Sequence, residues 1–291
     1  MKQTLCTITS NTEVMPGIHL IWIEAPDIAA AAQPGQFITV RCGDFTLRRP
    51  LSIHQVGGNN VIASDLPAKA WQAGAKQSQV ALLFKIAGKG TFWLSQRQKG
   101  ERLDILGPLG NGFTIEPKSK HLLLVAGGIG IAPLILLAQQ ASSQHQITLI
   151  HGTSTAAQLY PFSSAATKRS KLPPLPNGVQ FIPVTEDGSM GQKGMATDIL
   201  PDFLGWADQM YACGPVDMYK TMAKMSLRVP IKSGRSNPKL KKCQVSLEVR
   251  MGCGFGACYG CTINTKKGLK QVCRDGPVFE LNDIIWQEVR I

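Results

Sequence analysis

The densest chemistry in this chain lies in a short cysteine-rich run. MGCGFGACYGC places Cys253, Cys258 and Cys261 close together, and Cys273 follows in VCRDGPVF, for a spacing of C-x4-C-x2-C-x11-C. Such thiols could hold structural zinc, form a disulfide knot or carry a redox centre. Zinc ribbons usually present paired C-x2-C knuckles, and only one such pair stands here. A C-x4-C-x2-C run with a distant fourth cysteine is instead the plant-type [2Fe–2S] spacing. Gly252, Gly254, Gly256 and Gly260 suit a loop that wraps a cluster with its N–H groups close to sulfur. An oxidised two-iron centre on four thiolates carries a formal charge of about −2, which Arg250, Lys266, Lys267, Lys270 and Arg274 would offset. These residues favour a two-iron cluster over zinc, with a disulfide as the third reading.

Three further motifs read as nucleotide chemistry. In LLLVAGGIGIAPL an apolar run meets Gly127, Gly128 and Gly130, and a helix begins near Ala132 and Pro133. Glycines allow close approach of backbone to a pyrophosphate, and a helix N-terminus supplies free N–H groups; Pro133 suits the first turn. The pattern is G-x-G-x-x-P rather than G-x-G-x-x-G, so a purely structural glycine turn is the competing reading. In FTLRRPLSI an arginine fork stands at a strand end, where it could hold a phosphate, and Gly90 and Thr91 of KIAGKGTFWLS could add donors. YACGP, Tyr211 to Pro215, is weak alone and gains interest only at the end of a parallel strand. The five histidines, His19, His54, His121, His145 and His151, show no metal spacing, and Cys6, Cys42 and Cys243 read as buried small residues.

The elements that must position these residues fall into three parts. The 291 residues allow two or three domains, and 44% hydrophobic with 17% charged residues is a globular composition. FITVRC, VIASDL and VALLFKIA, separated by glycine-rich turns, predict a small antiparallel β-barrel over residues 1–115. From Lys120 buried strands alternate with helices (HLLLVAGG, APLILLAQQAS, ITLIHGT, VQFIPVTED, QMYACGP, VDMYKTMAKM), predicting a doubly wound parallel sheet over 116–228. Residues 229–291 then form a linker and the cysteine module. Thirteen Lys or Arg and one acid, Glu248, lie between Lys220 and Arg274, a balance of 13 − 1 = +12 that equals the net charge of the whole chain. Nucleic acid, an acidic partner, an anionic centre or a solvated loop could each account for such a stretch. The N-terminal MKQTLCTITSNTEVMPG lacks a signal-peptide pattern, which points to the cytoplasm and to reduced thiols.

RRPLSI, GKGT, LGPLGNGF, GGIGIAPL, YACGP and the cysteine run occur in one order, and that order resembles the ferredoxin–NADP reductase superfamily. With the C-terminal cysteine module, the chain is similar to the electron-transfer subunits of dihydroorotate dehydrogenase B over nearly its whole length. The resemblance implies an NAD-dependent flavin and iron–sulfur oxidoreductase subunit with FAD, NAD and a [2Fe–2S] cluster as cofactors. It would serve pyrimidine biosynthesis with an FMN-containing dihydroorotate dehydrogenase catalytic subunit, in a heterotetramer of two of each. Arg49, Pro50, Leu51 and Ser52 would bind FAD, with Leu83, Phe84 and Lys85 along it and Gly90 and Thr91 at its phosphates. Gly128, Gly130 and Pro133 would shape the nicotinamide nucleotide site, with Thr153, Cys213, Gly214 and Pro215 at its walls. Cys253, Cys258, Cys261 and Cys273 would ligate the cluster, and no side chain supplies a catalytic acid or base. Two segments depart from the family pattern: a long hairpin at Val56–Gln79 and an insertion at Arg228–Lys242. A reductase that stands alone or serves ferredoxin or sulfur is the alternative of the same class. A zinc and nucleic-acid module is the remote one.

Overall fold

The structure, a computed structural model, describes residues 1–58, 61–62, 78–161, 172, 175–225 and 241–289. The N-terminal body is an eight-stranded sheet in which β1 (Lys2–Met15), β2 (Ile18–Glu24), β3 (Phe37–Val40), β4 (Arg49–Ser52), β5 (Gln55–Gly58), β6 (Val61–Ile62), β7 (Gln79–Lys85) and β8 (Arg102–Leu109) pair antiparallel in the order β4-β3-β8-β1-β2-β7-β5-β6. Strict alternation along RLDILGPL turns Leu103, Ile105 and Leu109 inward, as a half-buried strand requires. The sheet curls until β4 meets β7, which sets RPLS beside the end of QVALLFK. Helix α1 (Pro26–Ala31) packs Ile28 and Ala29 into the barrel core. GKGT, read from sequence as a phosphate turn, opens a second helix, α2 (Lys89–Ser95).

The second body is a seven-stranded sheet. Strands β9 (His121–Gly127), β10 (Gln146–Thr153), β11 (Val179–Thr185), β12 (Gln192–Lys193), β13 (Gln209–Cys213) and β14 (Lys242–Ser246) run parallel in the order β12-β11-β10-β9-β13-β14, and β17 (Val278–Glu280) pairs antiparallel on the β14 edge. HLLLVAG is apolar throughout because β9 lies in the middle with both faces covered. Helix α3 (Ile131–Ala141) is buried along nearly its whole length, which explains why APLILLAQQA has hardly any polar face. One side packs on β9 and β13, while Leu136 enters the barrel core. The shorter helices α4 (Leu200–Leu204) and α5 (Val216–Lys224) sit on the other face of the sheet, where α5 buries Tyr219 and Met222.

Strands β14 and β17 come from beyond residue 229, so the sheet draws on both sides of the division expected there. Between them lie the cysteine loop, the hairpin β15 (Thr262–Thr265) and β16 (Gly268–Gln271), and the short helix α6 (Val272–Asp275). Cys261, Ile263, Val272 and Cys273 share one core with Leu123, Val125 and Met210 of the sheet. Most of the expected long hairpin at Val56–Gln79, most of the Ser/Pro-rich stretch from Phe162 and residues 228–240 of the Arg228–Lys242 insertion lie outside the described residues.

Candidate functional site: where three parts of the chain meet

A cavity of about 620 Å³ opens where the barrel, the sheet and the segment entering the cysteine loop meet. Arg49, Pro50, Leu51 and Ser52 line it from β4, and Leu83, Phe84 and Lys85 from β7. Ile129 and Ala132 line it from the β9–α3 turn, and residues 246–251 run along the far wall. Its surface is mainly apolar, with Arg48, Arg49, Lys85 and Arg250 among the lining, which suits a ring system carrying phosphates.

The two arginines of RRPLSI have different jobs. Arg48 is held by Asp104 of β8, with an Nη2–Oδ2 distance of 2.6 Å, and so anchors the strand end. Arg49 bonds only the Leu47 carbonyl among the described residues and lies over the Phe45 ring. A Cβ on Gly90 would strike the Arg49 guanidinium, so the start of α2 and this arginine form one cradle. The Thr91 hydroxyl accepts from the Ala87 amide at 2.9 Å and the Gly88 amide at 3.2 Å. It therefore caps its own helix.

On the sheet side, Gly128, Gly130, Pro133, Thr153, Cys213, Gly214 and Pro215 cluster at the C-terminal ends of β9, β10 and β13, behind the lining residues. Gly130 leaves no room for a side chain, because a Cβ there would run into the Cys213 carbonyl and the Gly214 amide. The two turns thus pack backbone to backbone. Tyr219 pins the second turn to β14: the Gly214 amide donates to its hydroxyl at 2.8 Å, and the hydroxyl donates to the Ser246 carbonyl at 2.7 Å. Cys213 is fully buried, and burial pushes its thiol well up.

Glu248 was missed as a site residue. Its side chain lines the cavity and is exposed at the mouth; the surrounding protein raises its carboxyl, and its charge acts on Cys213 and Tyr219. The signal was in the sequence: it is the single acid among thirteen cations.

The Cys253 and Cys258 side chains interact directly, as do those of Cys261 and Cys273, and Cys253 also acts on Cys273 through its charge. Two thiolates per iron is the arrangement of a bridged two-iron centre. Backbone amides already point at the sulfurs: Gly256 donates to Cys273 at 3.1 Å, Ala257 to Cys253 at 3.2 Å and Gly260 to Cys258 at 3.5 Å. Burial works to raise the Cys253 thiol, but amides of Phe255, Cys258 and Ala257 outweigh it and hold it at about 6. Cys273 is pushed up to about 12, by burial first and then by the Cys261 thiol. Gly254 and Gly256, at φ +81° and +91°, make the loop possible, since Cβ atoms there would press on Thr39 of β3 and on Arg274. Asn111 of the GNGF exit loop donates to the Arg274 and Asp275 carbonyls at 3.3 and 3.1 Å, tying the barrel to the helix that carries Cys273. The remaining thiols, Cys6, Cys42 and Cys243, are buried in the cores, as expected.

Two histidines expected to be merely surface or core residues are joined through Tyr160. The His54 Nδ1–H donates to the Ala132 carbonyl at 3.0 Å, and its Nε2 lies 3.5 Å from the Tyr160 hydroxyl. The Tyr160 amide donates to His151 Nδ1 at 3.2 Å, and His151 Nε2–H donates to the Gly128 carbonyl at 2.9 Å. Burial pushes both imidazoles from 6.5 down to about 4, against the smaller upward pull of the carbonyls. The unfolded chain therefore binds more protons below pH 6.5, and stability present above that value is lost as pH falls toward 4. The unfolding free energy, read from denaturant titrations, is expected to drop between pH 7 and 4.5 by roughly 2 kcal/mol for each histidine. The His54→Gln variant, measured over the same range, is expected to show a shallower loss.

Among known families, the iron-sulfur cluster binding domain of dihydroorotate dehydrogenase B matches residues 248–285, and the oxidoreductase NAD-binding domain matches 124–224. The dihydroorotate dehydrogenase B (NAD(+)) electron transfer subunit of Desulforamulus reducens is 34% identical over 94% of this chain and 95% of its own length. That of Bacillus caldolyticus is 35% identical over 96% and 97%. Among solved structures, an NADH-dependent reduced ferredoxin-NADP oxidoreductase described for flavin-based electron bifurcation superposes with a TM-score of 0.74 at 26% identity, covering 98% of this chain and 91% of that one. A ferredoxin NADP+ reductase from Neisseria gonorrhoeae shares the fold at a TM-score of 0.60 and 17% identity, covering 85% of this chain and 100% of that one. With its barrel, parallel sheet and cysteine module in this order, the chain belongs to the family of dihydroorotate dehydrogenase B electron-transfer subunits.

Proposed function

We propose that this chain carries electrons between an FMN-containing catalytic subunit that oxidises dihydroorotate and NAD⁺, in the cytoplasm and in a heterotetramer of two of each subunit. One observation carries the reading. A single cavity is bounded by the β4 strand, by the glycine turn of the parallel sheet and by a segment whose last lining residue, Met251, stands two positions before Cys253. Sites for a flavin, a nicotinamide and a cluster therefore adjoin one another. No helix among the described residues is long and apolar enough to cross a membrane.

A flavin exchanges a hydride with a nicotinamide and passes electrons singly to an iron–sulfur centre, which neither of those groups does alone. Arg49 and the α2 start hold the phosphate end of FAD, while Leu51, Ser52, Leu83 and Phe84 shape the slot for its ring and exclude water. Lys85 closes the rim. The β9–α3 turn, with Thr153 and Cys213–Pro215, takes the dinucleotide. Cys253, Cys258, Cys261 and Cys273 hold the cluster, whose negative charge the amides at sulfur and Arg250 offset. Exposed Cys258, flanked in its loop by exposed Phe255 and Tyr259, marks the side facing the partner, with Lys266 and Lys270 nearby in the chain.

The visible spectrum of the purified protein, followed by anaerobic NADH titration and co-purification, tests this reading. Flavin bands with a red-brown iron–sulfur shoulder, both bleached by NADH, and capture of a dihydroorotate-oxidising partner are expected. A colourless zinc protein would overturn it. A coloured protein that captures no such partner would make it a reductase for another acceptor.

A further inference from the structure

The buried His54–Tyr160–His151 chain ends on the backbone of the glycine turn. The Tyr160 amide is an obligatory donor, so His151 Nδ1 accepts and the ring proton sits on Nε2. That proton is directed at the Gly128 carbonyl, which also receives the Ile131 amide. Both acceptor positions of this oxygen are thereby filled. In a trans peptide the C=O and N–H point in opposite directions. Anchoring the Gly128 oxygen in the core thus turns the Ile129 N–H outward. Gly128 itself, at φ +53°, has open space beside it: a Cβ there would meet nothing within 4 Å. Without the anchor, a glycine peptide has several orientations of similar energy.

We propose that His151, in its Nε2–H form, is a positioning residue that locks the Gly128–Ile129 peptide with its N–H presented to the pyrophosphate of the nicotinamide dinucleotide. Through Tyr160 and His54 the same lock reaches the barrel two residues beyond Ser52, so that the dinucleotide turn and the β4 strand are held in one setting. The inference rests on the NAD-binding reading above. The two imidazoles are fully buried, and neither needs a charge to make its bonds.

Gln and Asn at this position separate the bond from bulk and polarity. Gln carries an amide N–H at about the reach of Nε2, whereas Asn stops at about the reach of Nδ1. In the complex with its catalytic partner, His151→Gln is expected to keep KM for NADH within about threefold of wild type. His151→Asn is expected to raise KM about tenfold, the loss of one well-placed hydrogen bond, with kcat and the flavin and cluster absorbance little changed. Equal KM values for the two variants, or a loss confined to kcat or thermal stability, would overturn the proposal. A second measurement uses the wild-type complex alone. Saturating NAD⁺ is expected to slow hydrogen exchange in a peptide spanning residues 127–131, and unchanged exchange there would also overturn it. If wild type itself binds no NADH, the NAD-binding reading fails rather than the role of His151.

Discussion

Replacing Cys258 with serine is expected to abolish the iron–sulfur absorbance and to slow electron delivery to the catalytic partner by at least about a hundredfold. NADH-driven reduction of a soluble dye that draws on the flavin is expected to stay within about threefold of wild type. The split follows from where this cysteine stands. Cys258 is exposed, at the outer edge of the loop, while Cys261 and Cys273 are built into the core shared with the sheet. Its loss leaves Cys253 without the second thiol of its pair, yet removes almost nothing from the packing. The slot between β4 and β7, proposed above to take the flavin, is untouched. Iron content, the visible spectrum and the two activities measured side by side check this. Retained dihydroorotate-to-NAD⁺ activity in a cluster-free protein would sink the proposed electron path.

Gly130→Val is the second large effect. A side chain here has no direction in which to yield, because its first carbon meets the backbone of Cys213 and Gly214 rather than a flexible side chain. The turns after β9 and β13 must separate, and overpacking of this kind costs about 1–3 kcal/mol or more. KM for NADH is expected to rise more than about tenfold, and the denaturant midpoint to fall. The slot between β4 and β7 keeps its shape, so FAD content stays near wild type. An unaltered KM together with an unaltered midpoint would refute this account of the turn contact.

The site was legible wherever chemistry is written in local spacing. C-x4-C-x2-C and the glycines of VAGGIGIAPL each specify their geometry within a dozen residues, whereas RRPLSI does not reveal that Arg48 is taken by Asp104; the apolar runs of β9 and β13 located the sheet beneath. What stayed hidden depends on contacts distant in the chain. Tyr160 meets His54 across 106 positions, and Asn111 meets Asp275 across 164. No local pattern distinguishes those histidines from ordinary core residues. KCQVS carries too few apolar residues to announce a buried strand; Gln244 is accommodated because its amide bonds Thr114 and Glu280. GKGTFWLS hid a helix because its N-terminal cap is Thr91, reaching back from inside the first turn instead of standing in front of it.

The interleaving of β14 and β17 with the cysteine loop bears on how the protein is made. As the chain leaves the ribosome, the barrel strands are complete once Leu109 has emerged, but the parallel sheet keeps an open edge until residues 278–280 arrive to pair with β14. Between those two strands all four thiols must be threaded into place. That side of the sheet is therefore completed only after the cysteine segment has been made, and a nascent chain halted before residue 278 leaves β14 unpaired there, a strand edge of the kind that invites aggregation.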